Sequence, residues 1–371
     1  MGLSRGVQYL LLQLSVVFGA CECLSPPLAA QDHKQEPSRK SVAAGFAFDP
    51  EKEEGPHPDS DFEWWYQFGF LKQPGATEFK YSFVASFQRN KAGRYLFYNL
   101  AELKTGEHQR VAILDRSLLG GWPFPPQGHG FLKPPDTAAT TSPSALSLRY
   151  DDNEFCKVET GYRAAFKNED FALELMFRPQ GPALPVCGTG LTGVEKPEDQ
   201  HYYSYPRVAA EGNLRRHGAA EELQGTFWYD HQWGKTAAGS LMKWCWWGLQ
   251  LDDGRNLNII FLQNMRTSET VQTAVTMQTA DGQVKVSRVL ACSPKRYWRS
   301  PAKKKYAVEW EIRAPELGLT IHTRPWQDNH ELPVLLYGQI WEGPCSVDLL
   351  AAGGLAVKGR GFQEMIGQGD D

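Results

Sequence analysis

The chain has 371 residues, 42% hydrophobic and 22% charged, a balance that can bury a sizeable core and excludes an intrinsically disordered protein. Its 39 Lys plus Arg against 43 Asp plus Glu give a net charge of -4, which leaves no cationic excess to neutralise phosphates and excludes a dedicated nucleic-acid binder. The surplus lies in 12 Trp, 14 Tyr and 19 Phe, which favour half-buried strands, and in 35 Gly and 24 Pro, which punctuate turns.

Residues 1–30 have the layout of a secretory signal: Arg5, then an apolar stretch from Val7 to Ala20, then small residues suited to cleavage after Gly19 or near Ala29 and Ala30. Phe18-Gly19-Ala20-Cys21 forms a poor lipoprotein box, so export with an anchor at Cys21 is the minor variant of that reading, and plastid entry stays open. Residues 31–45 are polar and patternless and read as a linker. No later segment approaches 18 consecutive apolar residues. Beyond the signal, Cys156, Cys187, Cys245, Cys292 and Cys345 are scattered singly, with no Cys/His cluster at zinc spacing, so a structural metal is not expected.

From residue 62 onward the pattern is that of strands. Phe79, Tyr81, Phe83, Ala85 and Phe87 alternate with mostly polar neighbours, the period of a strand with one buried face. Leu241–Leu251 and Leu257–Leu262 flank Asp253-Gly254, and Val271–Met277 and Val284–Leu290 flank Asp281-Gly282, two hairpins with turns that favour positive φ. Tyr306, Val308, Trp310 and Ile312 alternate again, followed by Leu319–His322 and Leu335–Trp341. No run of ten residues has clean helical periodicity. The expected architecture is all-β, with antiparallel sheets that curl into barrels or sandwiches to hide their edges. The Gly- and Pro-rich stretch 179–207 places the junction near residue 210, dividing the chain into an N-terminal domain, 46–210, and a C-terminal domain, 211–371.

Three aromatic constellations carry ionisable groups. His57-Pro58 followed by Glu63-Trp64-Trp65-Tyr66 reads either as a partly desolvated acid in an aromatic site or as a strand end, with Trp64 and Trp65 on opposite faces. Trp228-Tyr229-Asp230-His231-Gln232-Trp233-Gly234 offers an acid whose pKa apolar walls would raise, or an Asp that merely accepts backbone N–H bonds. His201-Tyr202-Tyr203-Ser204-Tyr205-Pro206-Arg207 either lines a pocket or packs between domains. Gly188-x-Gly190-x-x-Gly193 matches a dinucleotide fingerprint in letters only, since no strand precedes it and no helix follows.

Together with Trp341-Glu342-Gly343 and Gly359-Arg360-Gly361-Phe362-x-Glu364-Met365-Ile366-Gly367, these motifs resemble the family of carotenoid 1,2-hydratases (hydroxyneurosporene synthases) and their exported AttH-like relatives, in family order from residue 57 to 367. The resemblance implies two consecutive lipocalin-like β domains and acid-catalysed addition of water to an isoprenoid C=C bond, without metal or organic cofactor. It implies Asp230 as proton donor in an aromatic-x-Asp motif, with His201 of a His-x-aromatic motif 29 residues upstream orienting the acid or the water. Tyr203, Trp228 and Trp233 would line the site, and Glu63, Trp64 and Trp65 would form its opposing wall. Tyr203 stands where the hydratases carry Trp, Trp228 where they carry Tyr, and Gln368 where relatives often have an aromatic, so the substrate need not be a carotenoid. The expected partner is a hydrophobic isoprenoid or polyene, met with peripheral membrane contact. Two alternatives stay open at this level: an exported carrier of an apolar ligand, and a polyene cyclase of the same family.

Overall fold

The computed structural model describes residues 49–90, 93–114, 140–141, 145–236, 242–334, 338–351 and 356–366. The signal, the linker, Cys21, residues 335–337, Gly367 and Gln368 lie outside them. Twelve strands form the first sheet: β1 (Phe62–Lys72), β2 (Tyr81–Asn90), β3 (Gly93–Glu102), β4 (Glu107–Leu114), β5 (Thr140–Thr141), β6 (Ser147–Tyr150), β7 (Asn153–Val158), β8 (Gly161–Lys167), β9 (Phe171–Pro179), β10 (Leu184–Pro185), β11 (Gln200–Arg216) and β12 (Ala219–Gly234). Ten form the second: β13 (Met242–Leu251), β14 (Asn256–Asn264), β15 (Thr270–Gln278), β16 (Val284–Ser287), β17 (Ala291–Arg299), β18 (Lys305–Ala314), β19 (Leu319–Pro325), β20 (Glu331–Val334), β21 (Gly338–Ala351) and β22 (Ala356–Ile366).

Both sheets are antiparallel and curled, and the only helical elements among the described residues are 3-10 turns of three residues. The all-β, lipocalin-like expectation therefore holds. Both predicted hairpins form, with Gly254 at φ 90° and Gly282 at φ 83°, the left-handed conformation that their Asp-Gly turns require. The junction near residue 210 does not hold. Residue 210 lies inside β11, and β12 pairs with both β11 and β1, so the first sheet runs to Gly234 and the break between sheets falls before Met242. The stretch 179–207 misleads because its turns lie within the first domain, ahead of two long strands that return to close against β1.

Each sheet wraps a core of its own. Phe83, Phe87, Phe155, Phe166, Phe177, Phe227 and their neighbours fill the first, and Trp247, Ile259, Trp310, Ile321, Trp341 and Met365 fill the second. A third apolar cluster joins residues of both sheets, among them Phe68, Phe70, Trp228, Trp246 and Phe362. Gly248 makes this contact possible, because a Cβ there would stand 2.5 Å from the Trp246 ring and 2.9 Å from Phe68. Polar ties add to it: Gln250 Nε2 donates to the carbonyls of Pro206 (2.7 Å) and Phe227 (3.1 Å), and Arg207 Nη2 to that of Leu251 (2.6 Å). The outer faces of the two curled sheets thus become a buried seam.

Candidate active site

Strand alternation assigns each motif residue to one of two compartments. In β12 the side chains of Trp228, Asp230 and Gln232 share one face, and those of Tyr229, His231 and Trp233 share the other. The register with β11 sets Ser204 opposite Asp230, Tyr203 opposite His231 and His201 opposite Trp233. The register with β1 sets Tyr66 opposite Asp230, Trp65 opposite His231 and Glu63 opposite Trp233. The even-numbered set faces the seam between domains, and the odd-numbered set faces the interior of the first sheet.

At the seam, Asp230 is buried and accepts three hydrogen bonds. Its Oδ1 accepts from Ser204 Oγ (2.5 Å) and Trp228 Nε1 (2.7 Å), and its Oδ2 accepts from the Tyr202 hydroxyl (2.8 Å). Burial raises its pKa from 3.8 to about 7, against the three hydrogen bonds that favour the charged form. The second domain supplies the rest of the site. Asn258 Nδ2 donates to the Tyr202 hydroxyl (3.0 Å), the Tyr66 hydroxyl donates to Glu342 Oε1, and Trp244 Nε1 donates to Glu364 Oε1 (2.9 Å). Burial also raises the pKa of Glu342 and Glu364; the Glu364 charge adds to the shift of Glu342, and the Asp230 charge to that of Glu364. Trp246 stands edge-on to Trp228, with centroids 6.2 Å apart, and to Tyr66 at 5.6 Å. Three carboxyl groups and several aromatic faces therefore meet in one dry place.

Inside the first sheet, Glu63 is fully buried and accepts from His57 Nδ1 (2.8 Å), His231 Nε2 (2.9 Å) and Arg89 Nε (2.6 Å). Burial pushes its pKa up, but the hydrogen bonds from His231 and His57 outweigh that and bring it from 4.5 down to about 2. His57 stacks on Trp233 at 4.0 Å, and His231 on Trp65 at 4.9 Å. Ligand atoms of His57, Glu63 and His231 lie within 4.8 Å of one another, close enough to converge on a cation. The Arg89 guanidinium already balances the Glu63 charge, so the cluster is an ion-pair network.

The sequence matches the model of the family described as AttH-like over residues 131–368, more than half its length. The chain belongs to the AttH-like family. No curated protein matches it by sequence. Among solved structures, a putative AttH from Nitrosomonas europaea is 23% identical with TM-score 0.74, covering 89% of this chain and 99% of that one. Kievitone hydratase from Nectria haematococca is 16% identical with TM-score 0.65, covering 85% and 91%, and CghA with Sch210972 is 12% identical with TM-score 0.51, covering 83% and 88%. At these identities the likeness is one of fold.

In this AttH-like chain the expected site residues divide. Asp230 and Trp228 lie together at the seam, whereas Glu63, Trp65, Tyr203 and Trp233 belong to the first sheet's interior. His201 stacks on Trp233 with centroids 5.1 Å apart and faces away from Asp230, so it does not orient the acid. The reason is register: Ser204 is the partner of Asp230, and an odd offset of three residues puts His201 on the opposite face. Trp64 stacks on Phe62 (4.8 Å) and packs against the seam cluster, and Glu63 is an ion-pair anchor rather than an opposing wall. Ser204, Tyr202, Tyr66, Asn258, Trp246, Glu342 and Glu364 were not among the expected site residues. A usable signal existed for the last two, because Trp341-Glu342-Gly343 and Phe362-Gln363-Glu364-Met365 each set a carboxylate within a strand of large apolar residues.

Proposed function

We propose that this AttH-like protein is an acid catalyst that adds water to a prenyl or polyene C=C bond at the seam between its domains, with Asp230 as the proton donor. The observation that carries the reading is the buried Asp230, half protonated near neutrality and held by three directed hydrogen bonds. Oδ1 accepts two hydrogen bonds, from Ser204 and Trp228, while Oδ2 accepts one, from the Tyr202 hydroxyl. The transferable proton therefore sits on Oδ2. Protonating a trisubstituted alkene at its less substituted carbon leaves a tertiary cation, and the π faces of Trp228, Trp246 and Tyr66 stabilise such a charge in a dry site. Tyr202, whose pKa burial raises well above 10.0, stays a phenol and keeps its hydrogen bond to the acid through the reaction. The hydratase name of one structural neighbour agrees with this reading.

Incubation with prenylated phenols and linear polyenes in heavy-oxygen water tests it. One labelled oxygen in the product supports hydration. An isomer without label would make the protein a cyclase, and an unchanged ligand retained through purification would make it a carrier.

A further inference from the structure

Across the seam from Asp230, β13, β22 and β21 set Trp246, Glu364 and Glu342 side by side on one face. Directly opposed residues of neighbouring strands have Cβ atoms about 4.5–5.5 Å apart. Two buried carboxylates on directly opposed residues repel, which disfavours ionising both at once. Glu342 is fully buried and tied to Tyr66, the strand partner of Asp230, so the two domains' acidic ladders touch through one phenol. Two further acceptor atoms there are buried without a hydrogen-bond partner, Glu342 Oε2 and Asn258 Oδ1. A water molecule or a substrate hydroxyl, which can donate to them, would complete the set.

We propose that Glu342 and Glu364 share one proton and together accept the proton of the water that adds to the cation. This rests on the reading of Asp230 as acid. The alkene π pair forms a C–H bond with the Oδ2 proton of Asp230; a lone pair of water then forms the C–O bond, and the proton it sheds passes to the glutamate pair. Asp230 goes from neutral to -1 while the pair goes from -1 to neutral, so the site's charge is constant throughout. One proton returning from the pair to Asp230 through solvent resets the enzyme.

The probe is a dimethylallyl-substituted phenol, given to the full chain in deuterated and in heavy-oxygen water. Asp230 alone suffices to exchange deuterium into the prenyl group by reversible protonation, whereas forming the alcohol also needs the pair. In Glu342→Gln and Glu364→Gln the alcohol yield falls by about a hundredfold to ten-thousandfold, the range for a general base, while deuterium exchange persists. In Asp230→Asn both are lost. Wild-type alcohol yield in both glutamine variants overturns the pair and leaves Asp230 standing; exchange retained in Asp230→Asn overturns the reading of Asp230 instead. Infrared titration of the carboxyl C=O stretch decides the shared proton without any substrate. A protonated carboxyl near neutrality in Asp230→Asn, whose C=O stretch shifts when either Glu342→Gln or Glu364→Gln is added, is expected; its absence from Asp230→Asn, or a band that neither added substitution moves, overturns the sharing.

Discussion

Asp230→Asn isolates the cost of keeping a carboxyl at the seam. In the unfolded chain the group ionises near 3.8, and in the folded chain at about 7. Below 3.8 both states are protonated and the burial of Asp230 carries no ionisation penalty. As pH rises toward the folded value, the unfolded state releases a proton that the folded state retains, and stability falls. About three pKa units at 1.36 kcal/mol each make this loss about 4 kcal/mol, complete above about pH 7. Asparagine does not titrate, yet its Oδ1 still accepts from Ser204 and Trp228. Its Nδ2 faces the Tyr202 hydroxyl, which must turn, at a pH-independent cost of about 1 kcal/mol. Urea unfolding of both proteins between about pH 4 and pH 8 should therefore show the variant gaining on the wild type by about 4 kcal/mol as pH rises. Parallel stability curves for the two proteins would mean that Asp230 ionises as an ordinary carboxyl, and the assignment of the acid would fail with it.

Ser204→Ala removes a hydrogen bond that favours the Asp230 carboxylate, so the descending limb of the activity profile should move to higher pH, by about 0.7 unit for a bond worth about 1 kcal/mol. A limb that stays in place or moves down would contradict this. Glu63→Gln strands Arg89 and should cost about 3–5 kcal/mol at neutral pH, read by thermal unfolding. Because the folded pKa of Glu63 is depressed from 4.5 to about 2, its contribution is present above 4.5, and the gap to the variant should narrow as pH falls through that window. His201→Ala loses the stack on Trp233, about 1 kcal/mol of stability, and should leave the pH limb set by Asp230 where it was, as kinetics across the limb would show.

The fold was legible because period-2 alternation and Asp-Gly turns are local signals: Phe83 and Phe87 inside the first core, and Gly254 and Gly282 at their turns, follow from residues a few positions away. Of the site, Asp230 and Trp228 were legible as neighbours two residues apart on one strand. His201 was not, because the face it presents depends on its register with β12, and register is set by pairing over the whole length of β11. The seam itself was hidden for a related reason. Glu342, Glu364 and Asn258 meet Asp230 only after two domains dock, and nothing within either domain's pattern records which outer face will be covered.

Asp230 and His231 are consecutive, yet one serves the seam and the other the first barrel's ion-pair network. β12 is thus read in steps of two, as a coding sequence is read in steps of three. Losing one residue upstream of Asp230 within this strand would shift the frame, turning the imidazole toward the C-terminal carboxyls and the acid toward Arg89. Losing two would restore the frame with a displaced register. The length of this strand, and not only its composition, is therefore part of what specifies the chemistry on each side.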